Sequence, residues 1–305
     1  MLKETIDKYV SIRRAMGFKF IVPNRLLQSF ALFAEARGET HVCSCTVINW
    51  AGLAPSSAQK RNRLLTVRRF SIAMKSADNQ YEIPTYDAFG RHAGERRSPH
   101  IFTSEELRLL LSAASKLRPI GTLRPKNYTT IFALLATTGL RISEALALNV
   151  DDINNDGLRI KCTKFRKDRL VPLHVSAQNA IECYLRYRAK YINENPALFI
   201  SNKGERLPYP TVFSTFLKIM RSIGLRDKSG KSGPCLHDLH HTFAVKSLEE
   251  CIGNPTAVSR HMVALSTYLG HAHISDTYWY LQATPTLLTQ ISEAQEICYR
   301  SGFDD

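Results

Sequence analysis

The side chains of this sequence best suited to chemistry on a phosphate are one arginine, two lysines and three tyrosines. Arg141 stands three residues before Glu144. A guanidinium bonds two phosphate oxygens through its planar fork, so it can neutralise charge as a phosphoryl transition state forms. On a helix the same spacing makes Glu144 a neighbour, and a structural ion pair is the plain alternative. The two are compatible, because a buried carboxylate can hold the guanidinium in place. Lys164 and Lys167 fall in a polar segment between two apolar alternations. A lysine at such a tip can give a proton to a leaving oxygen if desolvation lowers its pKa; otherwise it is an exposed charge. Tyr268, Tyr278 and Tyr280 cluster near the end of the chain. A phenol can become a covalent phosphodiester and so conserve the energy of a broken strand. The ordinary role of any one tyrosine is core packing with a bonded hydroxyl, and that role is assigned here to Tyr278.

His237-Asp-Leu-His240-His241 comes close to the HExxH zinc pattern, with Asp where that pattern has Glu. No third ligand is evident, and a basic composition is unexpected for a protease, so a zinc hydrolase is a remote alternative. Seven cysteines, odd in number and without a CxxC, fit neither a disulfide framework nor a Cys-rich zinc site. They suit a reducing cytosol.

The elements that must position these residues fall in two parts. The chain has 305 residues and a formal net charge of +14. That excess favours a polyanion, nucleic acid first. Residues 1–98 hold 16 basic and 8 acidic residues, and the remainder 25 and 19, so both halves can face the same partner. The apolar runs are far shorter than the ~20 residues of a membrane span, and MLKETIDKYV has no secretory apolar stretch. Leu26, Leu27, Phe30, Phe33 and Ala34 predict one helix, with Pro23 just ahead of it and Gly38 at its end. A second, from about Ser56 to Ala77, carries Lys60, Arg61, Arg63, Arg68 and Arg69 and suits DNA phosphates; a solvated face is the alternative. Residues 84–100 lack periodicity, and the linker is set at 91–98, where Arg96 and Arg97 are further candidate DNA contacts.

Thr103-Ser-Glu-Glu106 is a capping box that opens the second domain. Helical pattern follows over Tyr128–Leu148, broken at Thr137-Thr138-Gly139. Leu158–Thr163 and Arg169–Leu173 alternate as a β-hairpin, and Ala197–Ile200 reads as a short strand. Helices are expected over Asn179–Lys190, Val212–Ile223, Leu239–Glu250 and Pro255–Leu269. After Thr284 an apolar stripe of Leu287, Ile291, Ala294 and Cys298 marks a tail helix.

Four segments together resemble the tyrosine recombinase (phage integrase) family. Ala136-Thr-Thr-Gly-Leu-Arg141-Ile-Ser-Glu144 resembles its first arginine box, and Lys164-Phe-Arg-Lys-Asp-Arg-Leu-Val-Pro-Leu its lysine hairpin. Leu236-His237-Asp-Leu-His240-His241-Thr-Phe-Ala resembles its HxxR box. Leu269-Gly-His271 through Tyr280 resembles its closing box, with the tyrosine nine residues after the histidine. The resemblance spans the second domain; the first matches in type only. It implies a mainly α fold with a small β-sheet: a helical core-binding domain at 1–90 and an α+β catalytic domain at 99–305.

The resemblance implies site-specific recombination or integration, including transposition, through a 3′-phosphotyrosyl intermediate. Tyr280 would be the nucleophile, Arg141 the phosphate clamp, and Lys164 the acid for the 5′ oxygen, with Lys167 second. His237 and His271 would bond phosphate and shuttle the tyrosine's proton, and Glu144 would support Arg141. Double-stranded DNA with a specific site, a dimer to tetramer on it, no metal, no cofactor and no membrane follow, in a cytoplasmic, nucleoid-associated setting. The tail helix would dock on a neighbouring protomer. One position departs: His240 stands where the family has a second arginine. A neutral imidazole has one donor against five and a fixed charge. The chain is then a substituted form, a variant working with protonated His240, or a relative that binds DNA and cuts poorly. A DNA-binding regulator and a type IB topoisomerase-like enzyme are the other classes.

Overall fold

The computed structural model describes residues 1–90, 98–161, 168–191, 194–227, 232–250, 255–271, 273–278 and 280, with no side chains described over 255–259. Lys164, Lys167, Arg96, Arg97 and the tail after Tyr280 lie outside these residues. The chain forms two compact units, Met1–Arg97 and Ser98–Asp305.

The first unit packs α1 (Leu2–Ala15), α2 (Ile21–Glu35), α3 (Ser44–Gly52) and α4 (Ser57–Lys75). Its core takes Leu2, Ile6, Tyr9 and Val10 from α1, Leu27, Phe30 and Ala34 from α2, Val47 and Trp50 from α3, and Leu64, Val67 and Phe70 from α4. Each set recurs at spacings of three and four, as a helix with one buried face requires. Phe20 has a left-handed φ of 48° and α2 begins at Ile21, so Pro23 lies inside the first turn rather than ahead of it. Proline is tolerated there because the first amides have no intrahelical partner. The Ser56 side chain caps α4 by accepting from the Gln59 amide at 3.3 Å.

In the second unit the capping box is present: the Glu106 amide donates to the Thr103 hydroxyl and the Thr103 amide to the Glu106 carboxylate. It opens α5 (Ser104–Ser115), which packs on α6 (Leu123–Thr138). α6 starts five residues earlier than the apolar pattern shows, because Thr122 caps it from a polar turn. It ends at Gly139, whose φ is +60°, and α7 (Ile142–Ala147) follows. An antiparallel sheet in the order β1-β2-β3 comes next, with β1 at Ile153–Asn154, β2 at Gly157–Ile160 and β3 at Arg169–Val171. Its register pairs Leu158 with Val171 and Ile160 with Arg169. The remaining helices are α8 (Val175–Arg188), α9 (Tyr209–Ser222), α10 (Asp238–Glu249), α11 (Pro255–Leu269) and the short α12 (Ser275–Tyr278).

The segment 197–200 is not a strand. It makes only isolated bridges, Asn149 to Ala197 and Ile200 to Arg206. Side chains take its carbonyls instead: Arg188 donates to Ala197 and Leu198, Tyr184 to Leu198, and Asn127 to Ile200. Its four residues are all apolar, and all four side chains are buried. Backbone bonds reach it singly, from the Leu198 amide to the Leu148 carbonyl and from the Leu207 amide to the Phe199 carbonyl, rather than as a continuous ladder.

Gly139 sets the path from α6 into Arg141. A left-handed residue with a Cβ costs about 1–2 kcal/mol, and a Cβ here would also overlap the Phe243 ring. Gly139→Ala is expected to cost at least ~1 kcal/mol in urea denaturation. An unchanged midpoint would show that neither constraint is felt.

Candidate active site

The site is built around one carboxylate. Glu144, in the first turn of α7, accepts from the Arg141 backbone amide at 3.0 Å and from Arg141 Nη1 at 3.1 Å. Arg169 of β3 reaches the same group with both terminal nitrogens, at 3.0 and 2.8 Å. The Glu144 and Arg169 side chains are only 11% and 13% exposed. Burial alone would raise the Glu144 pKa. The hydrogen bonds and charge of Arg169, with those of Arg141, outweigh burial and hold it below the ordinary glutamate value. The carboxylate is therefore ionised at neutral pH. The ion pair expected between Arg141 and Glu144 is present, and Arg169 adds a second guanidinium that the sequence reading does not single out.

The same cluster fastens the end of α11. Arg141 Nη1 donates to the Leu269 carbonyl at 2.9 Å. Gly270 follows with φ +65°, and a Cβ on it would stand 2.9 Å from Arg169 Nη1. Only glycine allows both that turn and so close a guanidinium. His271 is thereby delivered next to the arginines. Its Nδ1 shares a hydrogen bond of 2.8 Å with the buried Thr277 hydroxyl of α12. Burial, then the charge of Arg141, lower the His271 pKa to about 4, so its ring is neutral.

Three histidines come from the start of α10. His237 stacks on His240 with ring centroids 4.9 Å apart and meets His241 edge-on at 4.5 Å. His240 is buried, and its ring centroid is 5.9 Å from that of His271. Its Nδ1 bonds the Gly139 carbonyl. A carbonyl can only accept, so Nδ1 carries the proton and a neutral ring has none on Nε2. Burial, reinforced by His237, Arg141 and His241, pushes the His240 pKa well below its ordinary value despite that bond. This weighs against a protonated His240 in the protein without DNA.

Tyr280 completes the cluster. It is 2% exposed and packs with Val245, Leu248, Met262 and Leu269. Its hydroxyl is 3.1 Å from His241 Nδ1, and its ring stacks toward His271 at 6.2 Å. Tyr278 is 51% exposed, which corrects the expectation that it packs in the core. α12 carries it on the outer side, two residues from a buried partner. Tyr268 is half-buried against Phe243, and burial pushes its phenol up to about 12.

Arg141, Glu144, His237, His240, His271 and Tyr280 thus meet in one place. His241 and Arg169 join them. The HDxxH spacing puts His237 and His241 side by side, but Asp238 accepts from the Cys235 amide at 2.7 Å. Among the described residues no group of three His, Cys, Asp or Glu is placed to hold a metal.

On α4, Arg61, Arg68 and Arg69 lie away from the buried Leu64, Val67 and Phe70. Lys60 and Arg63 flank that face. Arg63 donates to the Trp50 carbonyl at 3.1 Å and lies over the indole, and Arg61 donates to the Gly90 carbonyl at 3.0 Å.

Residues 100–286 match the model of the phage integrase family. A Sinorhizobium fredii protein that carries the name integrase/recombinase y4rB is 36% identical over 299 residues, covering 94% of this chain and 95% of its own. The tyrosine recombinase XerD of Chlamydia muridarum is 29% identical over 228 residues, covering 72% and 68%. In fold, the chain is similar to the Tn1549 transposon integrase in complex with transposon right end DNA. There the TM-score is 0.67 at 14% identity, over 97% of this chain and 99% of that one. This chain belongs to the phage integrase family, the tyrosine recombinases.

Removing one partner of a buried ion pair typically costs about 3–5 kcal/mol. Arg169→Ala is expected to lose that much stability at pH 7, read by chemical denaturation. Because the Glu144 pKa is depressed in the fold, its contribution is present above the unfolded value of ~4.3 and is lost as pH falls through the folded one. The gap between the two proteins should therefore shrink below about pH 4. A cost under ~1 kcal/mol would place the pair among weak surface bridges.

Proposed function

We propose that this chain is a site-specific DNA recombinase or integrase, in the manner of a mobile-element transposase, and that Tyr280 is its nucleophile. The observation that carries the reading is the meeting of Arg141, three histidines at the start of α10, His271 and Tyr280, from segments as far apart in sequence as Arg141 and Tyr280. Tyr280 attacks the phosphorus and forms a 3′-phosphotyrosyl link, and the 5′ oxygen leaves. Arg141, held by Glu144, bonds the non-bridging oxygens. His237 and His271 bond the same phosphate. Lys164 is the acid for the 5′ oxygen, and the residues require neither metal nor cofactor. The partner is double-stranded DNA with a specific site, engaged as a dimer to tetramer. The basic face of α4, with Lys60, Arg61, Arg63, Arg68 and Arg69, and the linker's Arg96 and Arg97 grip the phosphates. The tail after Thr284 docks on a neighbour. No helix among the described residues is long and apolar enough to cross a membrane, and the reading places the protein in the cytoplasm at the nucleoid.

The test is a nicked suicide duplex bearing the site that the wild-type chain selects from a randomised pool. Tyr280→Phe should abolish the covalent adduct and leave DNA affinity within about twofold of wild type, since one hydroxyl is removed from a core position. Adduct from Tyr280→Phe, or none from the wild type on any selected site, contradicts the reading.

His240 limits the rate. With Nδ1 given to Gly139, a neutral His240 presents a lone pair to an anionic phosphate and can donate only as an imidazolium. The groups opposing that proton are His237, Arg141 and His241. His240→Arg should speed cleavage at pH 8 by ~10²–10³, the usual worth of one transition-state donor. The ratio of the two rates should narrow only as pH falls well below the ordinary imidazole value of ~6.5, because burial and these neighbours oppose the His240 proton. A ratio near one across that range would remove His240 as the limit.

A further inference from the structure

We propose that His241 is a catalytic residue, the base that takes the phenolic proton of Tyr280. The inference rests on the reading of Tyr280 as nucleophile. A phenol attacks phosphorus well only as its proton leaves, and the acceptor must lie within hydrogen-bond reach of that oxygen. His241 Nδ1 is 3.1 Å from the Tyr280 hydroxyl. The neighbouring histidines are committed differently. His240 Nδ1 bonds the Gly139 carbonyl. His271 Nδ1 bonds the Thr277 hydroxyl, and its ring lies within 20° of parallel to the Tyr280 ring, a stacking pose. His237 is exposed, one helical turn before His241, and its ring meets the His241 ring edge-on.

The step balances without a further reactant. The Tyr280 O–H bond breaks, the proton goes to His241 Nδ1, and the oxygen's electron pair forms the bond to phosphorus. The P–O5′ bond breaks, and its pair leaves on the 5′ oxygen, which is protonated by Lys164 as assigned above. In religation the 5′ hydroxyl gives its proton back to Lys164 as its oxygen attacks phosphorus, the P–O bond to Tyr280 breaks, and the imidazolium of His241 returns the proton to the departing phenolate. His241 must therefore hold its resting proton on Nε2, the tautomer in which Nδ1 accepts from the phenol.

The test is adduct formation by His241→Asn on the selected nicked duplex. An asparagine side-chain amide reaches about where Nδ1 sits, so it can bond the phenol but cannot take its proton. The expected loss is ~10²–10⁴, the usual worth of a general base, with DNA retention in gel shift unchanged. Replacing the bridging 5′ oxygen by sulfur, whose thiolate leaves without a proton, should not restore the rate. A wild-type rate in His241→Asn, rescue by sulfur, or faster cleavage by His241→Ala each overturns the proposal. They would make His241 a positioning residue, a leaving-group acid or a restraint on Tyr280. If the variants do not fold, nitrogen NMR of the histidines in Tyr280→Phe decides: a shift at His241 Nδ1 supports the bond, and no shift overturns it. Failure of Tyr280→Phe to lose the adduct defeats the recombinase reading itself, whatever His241 does.

Discussion

The site depends on one ionised carboxylate shared by two guanidiniums. Glu144 caps its own helix through the Arg141 amide, and it binds Arg141 and Arg169 at the same time. A carboxylate in that degree of burial is tolerated only because its charge is paired and its lone pairs are bonded. In return it fixes three segments that are remote in sequence. Arg141 is held at the start of α7, Arg169 ties in β3, and both press on the end of α11 at Leu269 and Gly270.

Two arginines against one carboxylate leave one excess positive charge beside the histidines, and together with burial it sets the state of His271 and His240. His271 is held neutral by burial and by Arg141, and His240 by burial and by its cationic and histidine neighbours. A neutral imidazole can accept a proton or donate one hydrogen bond, whereas a fixed cation could do only the second. The same surroundings keep the second nitrogen of His240 without a proton, where an arginine would carry a fixed charge.

The order of the motifs along the chain made the catalytic unit legible. The capping box at Thr103, the stop at Gly139, the hairpin strands and the helices α8 to α11 stand where periodicity puts them, with ends shifted by a few residues. Partnerships between distant residues were not legible. Nothing in spacing links Arg169 to Glu144, because that pair exists only when β3 has returned beside α7. His241 was visible as a residue, but the HDxxH spacing drew it toward a zinc reading, and its bond to Tyr280 spans 39 positions. The contrast between Tyr278 and Tyr280 was also hidden, since exposure two residues apart depends on where the four-residue α12 ends. In the first unit, α1 and α3 went unmarked. The buried stripe of α1 is diluted by charged residues, and α3 opens on the Cys43-Ser-Cys45 pair rather than on an apolar repeat.

The most direct measurement is peptide mapping, by mass spectrometry, of the wild-type chain trapped covalently on a nicked duplex. The account predicts that the nucleotide remnant sits on Tyr280, the buried phenol beside His241. A remnant on Tyr278, the exposed phenol two residues earlier, or on Tyr268 would contradict it.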